Sequence, residues 1–290
     1  HTAGSPPEAP QLSSPLVNPG AADPFIAVEG WDEATAQQWA EVLELRATNP
    51  SQIQLRADLI AAAWLKPGDT VVEVGCGTGI TLVDLTVAVG PGGQAFGFEP
   101  QPMFAELARR RLAERGLERA SVEIGTAEAI PLGDATVDAA VAQTVLVHVP
   151  GAAAALAEMC RVVRPGGRVA SIDQDGDALV IDHPDKALTR RLVVFSSDQR
   201  FADGWTGRRL PRMFRTAGLG DVTVTMRCHL ETEPGNFLHA MALRLAENAL
   251  EAGVITEAEW RGWTAGLAEL AESGSFFASS NYYVCSGLKT

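Results

Sequence analysis

The 290-residue chain has no Cys-x-x-Cys pair, no basic run longer than Arg109-Arg110-Arg111, and no apolar stretch approaching bilayer length. Each absence removes a class of function. Its four cysteines, Cys76, Cys160, Cys228 and Cys285, are widely spaced and offer neither a structural zinc site nor a redox pair. They read as the reduced thiols of a cytoplasmic enzyme. A nucleic-acid partner calls for clustered Lys and Arg, whereas 23 basic against 36 acidic residues give a formal net charge of −13. The triplet at 109–111 reads as a solvated helix face, so no nucleic acid is expected. A spanning helix needs about 20 apolar residues, so no membrane span is expected either. The N-terminus is polar and proline-rich, without a secretory pattern, and a start at His1 reads as a trimmed or tagged end. There are no internal repeats and no catalytic triad.

What is present is a large apolar fraction, 46%, sufficient for a sizeable core. Residues 1–30 are rich in Pro, Gly, Ser and Ala and are expected to form a flexible tail. Apolar spacing near 3.6 predicts helices at 32–47 and 51–65, so 31–66 reads as N-terminal cap helices. A strand–helix alternation follows, the start of a core running over 67–290. Strands are expected at 71–74, 95–98, 121–124, 137–142 and 168–172, with helices at 79–89, 102–115 and 152–163. Such alternation implies right-handed crossovers and a mainly parallel sheet. Beyond 175 the pattern loosens. Helices are predicted at 185–200, 207–217, 236–252 and 256–272, and strands at 222–226 and 282–285. The insertions at about 178–215 and 236–272 are expected to cover the sheet.

The central feature is Glu73-Val74-Gly75-Cys76-Gly77-Thr78-Gly79, between the first strand and its helix. Glycines there let backbone approach a ligand at a helix N-terminus. A ligand-free tight turn and a dinucleotide site are the competing readings. The dinucleotide fingerprint Gly-x-Gly-x-x-Gly is not met, because position 80 is Ile80. Glu99 ends the second strand about 20 residues on, where a carboxylate accepts from both ribose hydroxyls.

Further pieces occur in order: Phe98-Glu99-Pro100, Gly125-Thr126-Ala127-Glu128-Ala129-Ile130-Pro131-Leu132, Val137-Asp138-Ala139-Ala140, Val145-Leu146-Val147-His148-Val149, and Arg164-Pro165-Gly166-Gly167. Together they resemble the class I S-adenosylmethionine-dependent methyltransferases, in the branch that includes ubiquinone/menaquinone and small-molecule enzymes. The resemblance covers roughly 50–230. It implies a Rossmann-like α/β fold with a seven-stranded, mostly parallel sheet of order 3-2-1-4-5-7-6, the last strand antiparallel, with helices on both faces and a helical cap. It implies S-adenosyl-L-methionine as cofactor. Gly75, Cys76 and Gly77 would line its methionine half, Gly79 would belong to the same cofactor-binding turn, and Glu73 would reach its ammonium. Arg56 would meet its carboxylate. Glu99 and Pro100 would border the ribose, and Met103 would pack on adenine. Thr126, Ala127 and Glu128 would meet the adenine edge, with Thr126 where the family usually carries Asp. Gln143 would border the sulfonium.

Methyl transfer is an in-line displacement that requires chiefly position and a dry site. A base is needed only if the nucleophile must lose a proton. His148, just after the fourth strand, is the candidate, against the alternative of a loop-supporting histidine. Asp173-Gln174-Asp175-Gly176-Asp177 reads as a turn with one residue facing substrate. His183, His229 and His239 share no ligand-like spacing, so no metal is expected. The aromatic residues Trp31, Trp39, Phe195, Phe201, Trp205, Phe214, Phe237, Phe276 and Phe277 suggest an apolar or aromatic small-molecule acceptor. A homodimer is compatible with this reading. A non-methylating cyclisation or rearrangement on the same fold, and a regulatory module without catalysis, are the alternatives.

Overall fold

The structure, a computed structural model, describes residues 23–290. Residues 1–22, most of the expected flexible tail, lie outside the described residues. The rest of that segment is folded rather than loose. Pro24–Gly30 forms a 3₁₀ turn, with the Asp23 side chain accepting from the Phe25 amide at 2.9 Å and proline in the first turn.

The centre of the sheet follows from short apolar runs buried on both faces. β1 (Thr70–Val74) pairs in parallel with β2 (Gln94–Glu99) and β4 (Val137–Gln143). β2 pairs with β3 (Ala120–Ile124), and β4 with β5 (Val163–Gln174), also in parallel. Strand alternation divides the core. Val71 faces one side, with Leu55, Leu59, Leu82, Leu85 and Ala108. Val72 and Val74 face the other, with Phe98, Leu156, Met159 and Phe214. Helices α2 (Pro50–Ala62), α3 (Ile80–Val89) and α4 (Pro102–Glu114) thus cover the first face, and α5 (Ala152–Val162) and α7 (Thr206–Thr216) the second.

β8 (Ala278–Leu288) runs antiparallel to β5, and β7 (Gly220–Glu231) antiparallel to β8. These seven strands reproduce the expected order and the reversed last strand. One strand is additional. β6 (Val180–Ile181) pairs with Ser279 and Ala278, which pair on their other edge with Leu230 and Glu231. β6 therefore takes up, beyond Gln174, the edge of β8 that β5 leaves. Two residues carry no period, so nothing in the sequence announces it. β7 and β8 are longer than expected, because long antiparallel pairing continues past the apolar residues that mark a strand in sequence, and β5 begins early, where Val163 pairs in parallel with Val137.

Helices α6 (Lys186–Gln199), α8 (Phe237–Glu251) and α9 (Glu257–Glu272) enclose a separate apolar cluster around Leu192, Leu245, Trp263 and Leu267. α1 (Glu33–Thr48) contributes Trp39, Ala40 and Val42 to a smaller one with Phe104 of α4, against which Phe25, Trp31, Phe237 and Met241 pack. This smaller cluster joins the N-terminal segment, α4 and α8 above the C-terminal ends of the strands. Among the described residues no helix is long and apolar enough to cross a membrane.

Candidate active site

The loops leaving β1, β2, β3, β4 and β5 line one crevice of about 380 Å³, within the range of about 300–1,000 Å³ usual for ligand sites. Ligands of open α/β sheets bind at these carboxyl ends.

The first loop is built by its glycines. Gly75 has φ +62°, and a Cβ there would lie 2.6 Å from Val145 Cγ2. The amides of Gly75 and Cys76 both donate to the Phe98 carbonyl, at 2.8 and 3.1 Å, which fixes the turn against β2. The Gly77 amide donates to Glu99 Oε2 at 2.8 Å, and the Gln101 amide to Glu99 Oε1 at 2.9 Å. Each carboxylate oxygen keeps a lone pair for a ligand hydroxyl. Burial raises the Glu99 pKa to about 7, against the pull of those two amides.

Glu73 is more enclosed still. Its Oε2 is buried with no hydrogen-bond partner among the described residues, and burial, followed by the charges of Glu99 and Asp84, pushes its pKa well above the ordinary value. A buried carboxylate oxygen without a donor is an acceptor held ready for a cationic or N–H-bearing ligand. Cys76 between them is a thiol whose pKa burial pushes far up, so it contributes shape rather than nucleophilicity.

At the end of β4, Gln143 accepts from Thr81 Oγ1 at 2.6 Å. Thr144 adopts φ +53°, a left-handed conformation unusual for a β-branched residue, and its amide donates to the Ile172 carbonyl at 2.6 Å. That twist swings 145–150 over the crevice. The Val147 amide is held at 3.1 Å by Asp173, a fully buried acid that also accepts from Ser171 Oγ at 2.8 Å. Burial raises the Asp173 pKa to about 7. The next residue, His148, presents Nδ1 to both oxygens of Asp23, at 3.0 and 2.8 Å. Its ring lies between Phe25 and Phe201, at centroid distances of 4.7 and 5.6 Å.

Of the residues expected to hold the cofactor, Arg56, Glu73, Gly75, Cys76, Gly77, Glu99, Pro100, Thr126, Ala127, Glu128, Gln143 and His148 all line this crevice. Two do not. Gly79 caps α3 with φ +81° and faces α4, where a Cβ would meet that of Ala108 at 2.8 Å. It serves close helix packing. Met103 is displaced from the lining by Phe104. α4 begins at Pro102, capped by Gln101, and a rotation of 100° per residue turns Phe104 inward. Arg56 is already engaged, bonding Asp84 at 3.1 Å and the Ala47 carbonyl at 3.1 Å.

The acidic turn after β5 brings Gln174, Asp175 and Gly176 to the crevice, with Asp175 paired to Arg208. Of the expected aromatic residues, Trp39, Phe201 and Phe237 line it. Phe195, Phe214 and Phe276 are core, Trp205 and Phe277 are exposed, and Trp31 packs behind Trp39. Sequence reasoning missed Asp23, Phe25, Arg46 and Tyr282, all in the lining or bonded to it. Asp23-Pro24, a helix-start signature, was the one legible signal among them.

A family model described as a methyltransferase domain matches residues 71–167. The chain is similar to the O-methyltransferase cnsE of Penicillium expansum, 30% identical over 206 residues that cover 69% of this chain and 67% of that one. It is similar to a demethylmenaquinone methyltransferase of Geobacillus sp. (strain WCH70), 28% identical over 59% of this chain and 80% of that protein. Among solved structures, a geranyl diphosphate methyltransferase in complex with SAM matches with a TM-score of 0.53 at 20% identity, covering 93% and 96% of the two chains.

Proposed function

Because this chain belongs to the class I S-adenosylmethionine-dependent methyltransferases, we propose that its crevice directs methyl transfer to a small apolar or aromatic acceptor. The observation that carries the reading is the pair of buried acids on neighbouring strand ends. Glu99 offers free lone pairs at the β2 tip, and Glu73 offers an unpartnered oxygen at the β1 tip. These suit the ribose hydroxyls and the ammonium of S-adenosylmethionine respectively. Gly75, Cys76 and Gly77 leave room for its methionine half, and Pro100, Thr126, Ala127 and Glu128 border the adenine end. When bound, the cofactor supplies an electrophilic methyl on a sulfonium leaving group.

The protein's own part is position, dryness and one proton. Phe25, Phe201, Phe237, Met241 and Leu245 make the acceptor side of the crevice apolar. His148, in the crevice lining, would take the proton that an O–H or N–H nucleophile has to lose. The Asp23 carboxylate accepts from Nδ1–H, which leaves Nε2 as the basic nitrogen. Asp23 then stabilises the imidazolium.

The test is product analysis. The protein is incubated with S-adenosylmethionine and a panel of phenols, heteroaromatic alcohols and amines. Stoichiometric S-adenosylhomocysteine and a product one methyl group heavier are expected. An acceptor converted without S-adenosylhomocysteine, or a crevice with no affinity for the cofactor by calorimetry, overturns the proposal.

A further inference from the structure

Three arginines line the crevice of this acidic chain: Arg46, Arg56 and Arg200. Two have carboxylates facing them. Arg56 bonds Asp84, and Arg200 feels the charges of Asp23 and Glu251. Arg46 is different. It takes part in none of the ion pairs among the described residues. Its Nη2 donates to Thr144 Oγ1 at 3.2 Å, the Tyr282 hydroxyl is its other polar neighbour, and its guanidinium carbon lies 5.9 Å from the Phe237 ring centroid. Desolvation lowers its pKa. A guanidinium carries five N–H donors and stays protonated in proteins. An enclosed charge without a counter-ion is unfavourable until a ligand supplies one.

The location says which ligand. Thr144 follows the end of β4, Phe237 opens α8 and Tyr282 lies on β8, so Arg46 sits where β4, α8 and β8 meet, beside Arg56 and against the Phe237 ring, rather than at the β2 tip that carries Glu99. We infer that Arg46 anchors a carboxylate on the acceptor, so that the substrate is an apolar or aromatic organic acid. This inference rests on the methyltransferase reading above. The planar fork of a guanidinium matches a carboxylate in two parallel hydrogen bonds. One guanidinium without a protein counter-ion matches one negative charge.

The experiment uses the full chain saturated with S-adenosylhomocysteine and three acid/amide pairs as probes: benzoate and benzamide, 3-phenylpropanoate and 3-phenylpropanamide, decanoate and decanamide. Binding is read by calorimetry. At least one acid binds about tenfold or more tighter than its amide, and Arg46→Met abolishes that preference while leaving the S-adenosylhomocysteine Kd unchanged. Arg46→Gln, which keeps hydrogen bonding without charge, gives the same loss should Arg46→Met fail to fold. Amides that bind as well as acids in all three pairs overturn the inference, as does a preference that survives in both variants. A weakened S-adenosylhomocysteine Kd also overturns it, since Arg46 then serves the cofactor's carboxylate. No S-adenosylhomocysteine binding by the parent protein would instead sink the underlying function.

Discussion

The imidazole of His148 and the carboxylate of Asp23 meet at 2.8 Å across 125 residues of sequence. The Asp23 oxygens also accept from the amides of Phe25 and Ala202, at 2.9 and 3.1 Å. The carboxylate is therefore fixed on three sides. It ties the N-terminal segment to the loop after β4 and to the loop before α7. A histidine so held has one assigned tautomer and one nitrogen left for chemistry.

His148→Ala is expected to lower kcat about 10²-fold or more for acceptors that lose a proton, the scale of general-base catalysis. Asp23→Asn should have a smaller effect, because the Nδ1–H of His148 keeps an acceptor but loses the charged one that fixes the ring. S-adenosylhomocysteine affinity should be unchanged in Asp23→Asn, whose side chain does not line the crevice. A pH–rate profile identical to the parent's would leave His148 a structural residue.

Glu99→Ala is expected to weaken S-adenosylhomocysteine binding by about 1–3 kcal/mol, the scale for hydrogen bonds to a charged group. Calorimetry measures it directly. The same substitution leaves the Gly77 and Gln101 amides without their acceptor, so a modest fall in Tm should accompany it.

Gly75→Ala should be severely destabilising. It places a side chain at φ +62°, with its Cβ 2.6 Å from Val145. Left-handed backbone and overpacking together cost roughly 2–5 kcal/mol, which in a chain of this size lowers Tm by roughly 5–15 °C. Thermal melting of Gly75→Ala combined with Val145→Ala should recover the packing part and leave the backbone part.

The buried acid Asp173 gives a pH signature. Its folded pKa, about 7, lies above the unfolded value, so the native state binds its proton more tightly. That contribution is fully present below about pH 4 and is lost as pH rises through 7. Glu99, also at about 7, acts in the same direction, whereas His239, whose pKa burial lowers, acts oppositely. Asp173→Asn should flatten the fall in Tm between pH 5 and 8. Asn keeps an oxygen for the Val147 amide, and the Ser171 hydroxyl can rotate to accept from its amide. An unaltered Tm–pH slope would contradict the assignment.

The central sheet was legible because parallel strands buried on both faces read as apolar runs. Val71-Val72-Glu73-Val74 and Val137 to Ala142 are too short for helices and rich in valine or flanked by turn residues, which favours strands. Glu99 was legible because a polar residue ending such a run has to meet solvent or ligand, and Glu73 because it interrupts an apolar run beside the glycine turn. Phe104 rather than Met103 lines the crevice, a choice that requires the helix start to within one residue, since one residue is 100° of rotation. Gly79 belonged to the same motif, yet its missing side chain makes room for Ala108 rather than for a ligand.

By itself the sequence determined what depends on neighbours along the chain: the strand runs, the glycine turn and the acids placed beside them. Only the tertiary structure decided that Asp23 meets His148, that Arg56 is occupied by Asp84, and that Arg46 faces an apolar chamber with no counter-charge among the described residues. The physical reason is range. Backbone periodicity is written within a few residues, whereas ion pairing is settled by whichever charges folding brings within about 4 Å, from any distance in sequence.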